Sequence, residues 1–242
     1  MNTETLDGRY VGKHDVLDHG HIILEKYMGN EIDVLANARV SFNDDVHAGS
    51  VEDLSEKDVG VLNFLMAKKH GTPWEAPVFR FDVKAPIFVF REWHRHRIAS
   101  INEWSARYSQ LDPEWYIPEP ENIRSQVGSP GRYTFEPVED PVVVETVRAN
   151  LNAQNRGAFQ LYENLLGQGI AKEVARTCLP VSTYSRMKWQ TNLRSIFNFV
   201  ALRSDPNAQW EIRQYSIAME ELLEQVVPLA MRLFNENGRV SP

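Results

Sequence analysis

The sequence contains only one cysteine, Cys178, and no long uncharged apolar segment. One thiol cannot form an intrachain disulfide or a cysteine-based zinc site, which fits a reducing, cytoplasmic compartment. The longest apolar runs, at residues 86–90 and 226–231, are far shorter than the ~18 residues that a membrane span needs. The first ten residues are polar and acidic, unlike a signal peptide. We therefore expect a cytoplasmic protein without a membrane segment.

Lysine is also scarce, because the chain has 18 arginines but only 8 lysines, and its net charge is −7. General electrostatic binding to nucleic acid or to an anionic membrane needs a basic surface, so we expect neither partner. The planar guanidinium of arginine suits phosphate and carboxylate groups. Two interpretations stay open on composition alone: the arginines line an anion-binding pocket, or they form ordinary surface ion pairs.

The pattern of apolar residues predicts an α+β protein, a single domain over residues 1–242 with a mixed or antiparallel sheet flanked by long helices. Helices are expected at 30–39, 55–70, 86–97, 141–167, 170–178, 195–203 and from 205 onward, with Pro228 kinking the last one. Extended segments are expected at 78–84 and 182–191. Residues 43–45 are expected to form a turn, and residues from about 99 to 140 a long loop that includes Gly131.

The most polar segment is 91–108, which holds four arginines, two histidines, two glutamates and two tryptophans. On a helix, Arg91 and Arg95 share one face, and Glu92 and His96 share another. Two guanidinium groups could then converge on one anion while a carboxylate orients an imidazole.

The continuation of that segment suggests a second recognition surface. If it is extended, Glu103, Ser105 and Arg107 point to the same side. Arginines with a hydroxyl can hold a phosphate, and a glutamate can accept from a sugar hydroxyl or a base N–H, which favours a nucleotide ligand. Two alternatives remain: a salt-bridged surface helix with a loop, or a module that stacks nucleic-acid bases on Trp93 and Trp104.

A second polar group lies in and before the predicted helix at 195–203, where Asn192, Arg194, Asn198 and Arg203 interrupt an apolar pattern. Buried guanidinium groups need partners. A bound ligand and internal salt bridges are equally good candidates for those partners, and Arg176 is a weaker member of the same group.

Three other signals carry less weight. Cys178 lies in an apolar, proline-ended segment and is better read as a core residue than as a nucleophile. His94 and His96 are two residues apart, which is poor spacing for a shared metal on a helix, so no metal site is expected. Gly167 and Gly169 fit a helix end better than a phosphate-binding loop.

Taken together, Arg95-His96-Arg97, seven intervening residues and Ser105 form an RHR-x7-S pattern that resembles the signature of the flavin-dependent thymidylate synthases. Further segments are similar to that family and occur in its order: HGTP at 70–73, VKAPIFVFREW at 83–93, EVART around Arg176, NLRSIFNFVALR at 192–203 and AQWEIRQYS at 208–216. The resemblance covers most of residues 70–220.

The resemblance implies a homotetramer with active sites at subunit interfaces, which methylates dUMP to dTMP. Methylenetetrahydrofolate would donate the carbon, and FAD reduced by NADPH would supply the hydride. The implied FAD contacts are Thr72, Arg95, His96, Arg97, Glu103, Asn192, Arg194 and Asn198. The implied dUMP contacts are Glu92, Arg95, Glu103, Ser105, Arg107, Arg176 and Arg203.

Arg203 matches the arginine that favours ionisation of the uracil N3 in this family, and it is therefore the expected catalytic residue. A cation beside N3 stabilises negative charge on the ring and raises nucleophilicity at C5, so no cysteine nucleophile is needed. Ser105 then serves as a phosphate-binding hydroxyl.

Three positions depart from the family pattern. Glu92 stands where the family usually has glutamine, and its carboxylate would repel a nucleotide unless it is protonated or paired, for example with Arg91. Ala76 and Asn207 stand where histidines are common.

Overall fold

The computed structural model describes residues 11–42, 46–130 and 132–242, so the turn predicted at 43–45 and the loop residue Gly131 lie outside the described residues. The chain forms two compact units. The first comprises Met1–Lys84, Arg91–Glu103 and Arg186–Pro242, and the second comprises Ala85–Phe90 and Trp104–Ser185. Because each unit is built from separate segments, no single cut in the sequence divides them.

The first unit is organised around a five-stranded sheet with the order β1-β2-β3-β7-β4. Its strands are β1 (Gly12–Val16), β2 (Gly20–Met28), β3 (Val78–Pro86), β4 (Ser100–Glu103) and β7 (Tyr184–Asn192). The pairs β1–β2, β2–β3 and β4–β7 are antiparallel. The predicted α+β class with an antiparallel sheet is confirmed.

Helices lie between and after these strands in the sequence. They are α1 (Glu31–Arg39), α2 (Glu56–Ala67), α3 (Ile87–Trp93), α6 (Leu193–Arg203), α7 (Trp210–Leu223) and α8 (Pro228–Glu236), with a 3-10 helix at Thr72–Glu75. The start of α2 follows its sequence signal, because the Ser55 hydroxyl accepts from the Asp58 N–H and the Asp58 side chain accepts from the Ser55 N–H.

Apolar and charged residues alternate along β3 and therefore lie on opposite faces of the sheet, as predicted. Phe79, Phe81 and Val83 are fully buried, and they alternate with Arg80 and Asp82 on the other face. Since successive strand residues point to opposite faces, one face of the sheet becomes the core and the other carries charge.

The second unit contains α4 (Pro141–Gly167), α5 (Lys172–Ala175) and a hairpin of β5 (Arg124–Ser129) and β6 (Arg132–Pro137). Its apolar cluster is centred on Phe159 and Tyr162. Helix α4 has the predicted bounds and ends in a Schellman motif at Gly169, whose φ is +79°. The hairpin was not predicted, because the segment was expected to be a loop.

Three helix boundaries after residue 190 differ from the prediction. Helix α6 begins at Leu193 instead of Ser195, because Asn192 is its N-cap and accepts from the Ser195 N–H at 2.9 Å. The Asp205 side chain accepts from the Asn207 N–H at 2.8 Å, which makes a local turn, and the next helix starts only at Trp210. Pro228 does not kink a continuous helix but starts a new one, where its missing N–H is tolerated.

None of the described helices has the length and apolar character needed to cross a membrane.

The charged face of the sheet is centred on Asp82, whose side chain is only 1% exposed. Arg186 Nε donates to Asp82 Oδ1 at 2.7 Å, Lys188 Nζ donates to Oδ2 at 2.6 Å, and His21 Nε2 lies 3.7 Å from Oδ1. Burial raises the pKa of Asp82, but hydrogen bonds from Arg186 and Lys188, together with the nearby His21, outweigh it and hold the pKa well below its ordinary value.

We expect Asp82→Asn to lower the free energy of unfolding at pH 7 by about 3 kcal/mol, because Arg186 and Lys188 lose their buried counter-charge. The folded pKa lies below the unfolded value of about 3.9, so the contribution of the carboxylate is present above that value and is lost as the pH falls below it. Denaturant unfolding should therefore show a larger loss at pH 7 than at pH 3. Asp112→Asn, at an exposed carboxylate, is the matched control. An equal loss at both pH values would contradict the assignment.

Candidate functional site

Helix α3 ends at Trp93, so the prediction that it continues through Arg97 is wrong. The Arg95 N–H donates to the Glu92 carbonyl at 3.2 Å and the His96 N–H donates to the Trp93 carbonyl at 3.0 Å, which closes a tight turn. The turn is needed because Trp93 is fully buried and the chain enters β4 at Ser100. Arg95, His96 and Arg97 are therefore presented by a turn after the helix.

Arg203, in the last turn of α6, meets that turn with three donors. Its Nη1 donates to Glu92 Oε2 at 2.7 Å, its Nη2 donates to the Glu92 carbonyl at 3.1 Å, and its Nε donates to His96 Nε2 at 3.0 Å. Arg203 is 18% exposed and Glu92 is 28% exposed. A guanidinium has five N–H groups, so two remain for a ligand. The partner of the Glu92 carboxylate is thus Arg203, where the sequence had suggested Arg91.

His96 is buried, and its ring packs edge-on against Phe199 with centroids 4.8 Å apart. Burial lowers its pKa to about 4, and the Arg203 charge adds to the effect. The imidazole is therefore neutral at physiological pH. Because Nε2 accepts from Arg203, the proton is assigned to Nδ1, which is buried with no hydrogen-bond partner.

A cavity of about 510 Å³ lies next to this turn. Five residues that the resemblance assigned to FAD line it: Arg95, His96, Arg97, Arg194 and Asn198. Glu75, Ile98, Ser195, Ser241 and Pro242 complete the lining, and the sequence had not pointed to them. The lining side chains, which include three guanidinium groups and one carboxylate, carry a net charge of +2, which suits an anionic ligand.

The other three predicted FAD residues are not among those lining this cavity. Thr72 begins the 3-10 helix that carries Glu75. Asn192 uses its side chain to cap α6. Glu103 ends β4, and its Oε2 lies 3.9 Å from His94 Nε2.

The remaining predicted dUMP residues belong to the second unit. Arg107 lies in a turn, so the proposed strip of Glu103, Ser105 and Arg107 along one strand is wrong. Arg107 Nε donates to Glu173 Oε2 at 3.0 Å, and Glu173 lies on α5, directly before the 3-10 helix that begins at Arg176.

The less favoured signals have structural roles. Cys178 packs at the apolar cluster of the second unit, where its Sγ lies 3.2 Å from the Ala175 carbonyl oxygen. Trp93 is a core residue and offers no surface for base stacking. Over the described ranges, no group of three or more histidine, cysteine, aspartate or glutamate side chains could hold a metal ion.

Comparisons with known proteins agree with the motif. The family described as "Thymidylate synthase complementing protein" matches residues 23–229. The flavin-dependent thymidylate synthases of Thermus thermophilus and Thermotoga neapolitana are each 40% identical over 222 residues, which is 92% of this chain and 78% and 94% of the relatives. The chain belongs to the flavin-dependent thymidylate synthase family.

A solved structure extends the comparison. The crystal structure of the UMP/dUMP methylase PolB from Streptomyces cacaoi, bound with 5-Br dUMP, has a TM-score of 0.82 and 32% identity, covering 95% of this chain and 100% of PolB. The family assignment made from the RHR-x7-S motif is confirmed. Among the departures from the family pattern, Glu92 is accommodated by the Arg203 ion pair.

We expect the His96 imidazole to titrate with a midpoint of about 4, measured by NMR on the histidine ring nitrogens. In Arg203→Ala the midpoint should rise, because a neighbouring positive charge disfavours the protonated ring. The folded pKa lies below the unfolded value, so the unfolded chain binds the extra proton first and stability falls as the pH drops from about 6.5 towards 4. Arg213→Ala is the control, and a His96 midpoint near 6.5 in the unmodified protein would contradict the description.

Proposed function

We propose that this chain catalyses the reductive methylation of dUMP to dTMP, with FAD as cofactor and with methylenetetrahydrofolate and NADPH as co-substrates. The observation that carries the proposal is the cavity of about 510 Å³, because five residues matched to the family's FAD contacts line it together. The net charge of +2 on its lining side chains fits a cofactor that carries a diphosphate.

The proposed FAD ligands in this cavity are Arg95, His96, Arg97, Arg194 and Asn198. Thr72, Glu103 and Asn192 are proposed on their match to the family motifs alone. When bound, FAD supplies the hydride that completes the new methyl group. The arginines would bind its phosphates, and the neutral His96 ring adds no charge to the wall.

For dUMP, we propose Arg203 as the catalytic residue. Its two unused N–H groups can stabilise negative charge on the uracil ring at N3, which raises nucleophilicity at C5. Glu92, Arg95 and Glu103, which lie in the same unit as Arg203, are further proposed dUMP ligands. Ser105, Arg107 and Arg176 are proposed as dUMP ligands on their match to the family motifs alone. Because PolB is a UMP/dUMP methylase, UMP is a second substrate to test.

We further propose a homotetramer with active sites at subunit interfaces, as in the family. The cytoplasm is the proposed compartment, since the chain has a single cysteine and needs no disulfide.

We expect the purified protein to be yellow from bound flavin and to oxidise NADPH faster when dUMP is present. Arg203→Ala should lose dTMP formation by at least about 100-fold, the range seen when one donor to a developing anion is removed, while most of the flavin is retained. Product analysis by mass spectrometry and flavin absorbance are the two measurements. UMP is assayed in parallel. A colourless protein that FAD cannot reconstitute would overturn the proposal, and full synthase activity in the variant would overturn the role of Arg203.

Glu92 should limit the positive charge available to the nucleotide. Glu92→Gln keeps the shape of the side chain and an oxygen that can accept from Arg203, but it removes a negative charge from the proposed binding site of an anionic nucleotide. We expect the KM for dUMP to fall about threefold to tenfold at low ionic strength, and the effect to shrink as salt is added. Glu224→Gln, at an exposed glutamate, is the control. An unchanged or higher KM would show that the carboxylate does not oppose the nucleotide.

A further inference from the structure

Arg194 is held by two groups that come from distant parts of the chain. Its Nε donates to the Pro242 main-chain oxygen at 3.0 Å, and its Nη1 donates to Glu75 Oε1 at 2.7 Å. The Ser241 hydroxyl also donates to the Arg194 carbonyl at 3.2 Å. The side chain is therefore fixed from two directions at the wall of the cavity.

Gly71 lies against the same guanidinium group and leaves no room for a side chain of its own. A Cβ built at this position would lie 2.3 Å from Arg194 Nε, 2.5 Å from Arg194 Cζ and 2.8 Å from the Pro242 main-chain oxygen. The backbone at Gly71 has φ −74° and ψ −32°, which any residue adopts. Glycine is needed here for space, because a larger residue would collide with the Arg194 guanidinium and with the Pro242 main chain.

The contacts leave part of the guanidinium available. Two of its five N–H groups are used, and Nη2 has no hydrogen-bond partner among the described residues. Arg194 and Glu75 are 45% and 43% exposed, so their ion pair adds little to folding stability. The pair can instead fix the orientation of the remaining N–H groups of Arg194. A guanidinium that is already oriented loses less conformational entropy when an anion binds.

We propose that Gly71, Glu75 and the Pro242 main-chain oxygen form a clamp, the Arg194 clamp, which orients the Arg194 guanidinium to bind an anionic group of FAD. The three are positioning groups, because they act through Arg194. The inference rests on the proposed flavin cavity and adds to it the residues that set the geometry of one ligand.

The test is the affinity of the FAD-depleted full-length chain for FAD, measured by flavin fluorescence. Gly71→Ala should raise the dissociation constant about tenfold, the loss expected for one charge-assisted hydrogen bond. Arg194→Ala should raise it at least as much. Gly60→Ala is the matched control, since a Cβ there meets nothing within 4 Å, and it should leave the affinity unchanged.

A second readout reports on the clamp itself. The Arg194 Nε–Hε NMR signal, assigned by its absence in Arg194→Ala, should exchange slowly with water in the unmodified protein and rapidly in Gly71→Ala. Should Gly71→Ala fail to fold, Glu75→Asp replaces it: this variant keeps the charge, shortens the reach by about 1.5 Å and should also weaken FAD binding.

The outcomes distinguish a failure of the Arg194 clamp from a failure of the proposed flavin cavity. Weaker binding in Gly71→Ala and Arg194→Ala, with no change in Gly60→Ala, supports the clamp. Weaker binding in Arg194→Ala with unchanged binding in both Gly71→Ala and Glu75→Asp overturns the clamp but leaves the flavin cavity in place. Unchanged binding in Arg194→Ala overturns the cavity assignment and the clamp with it.

Discussion

The burial of Trp93 determines where the candidate site forms. Its ring packs against Phe199 on α6 with centroids 4.6 Å apart, and it also contacts Trp189 and Tyr215. Arg203 lies one helical turn after Phe199, so the contact that buries Trp93 also brings Arg203 to the end of α3. Glu92 and His96, on either side of Trp93 in the sequence, then receive its three hydrogen bonds. An apolar contact thus sets the geometry of the polar site.

The elements that could be predicted from the sequence are those whose two faces differ. Strand β3 alternates between core and charge, α2 carries its own capping residues, and α4 ends at a glycine that adopts positive φ. The hairpin at Arg124–Ser129 and Arg132–Pro137 could not be predicted in this way, because nearly all of its residues are exposed on both faces. Without a buried face, there is no period-two pattern to detect.

The residues of the candidate site could likewise be predicted only where the sequence signal is local. The sequence identified the arginines, because guanidinium groups close together near an RHR motif are visible locally. It could not identify Glu75 or Pro242, which contact Arg194 across 119 and 48 residues of sequence. Nor could it identify Arg203 as the partner of Glu92, 111 residues away. These pairs depend on packing between elements, and local periodicity holds no information about them.

The choice between ligand-binding arginines and paired arginines, which composition left open, has a physical resolution for Arg194 and Arg203. Each uses some of its five N–H groups on protein acceptors and keeps others. Pairing fixes the orientation of the guanidinium before a ligand arrives, which reduces the entropy lost on binding, but each carboxylate offsets one positive charge. The cavity wall retains a net charge of +2 despite Glu75, which leaves long-range attraction for a diphosphate. Glu92 cancels the charge of Arg203 itself, so that arginine must act through the direction of its remaining N–H groups, in a partly buried position where short-range hydrogen bonds are strong.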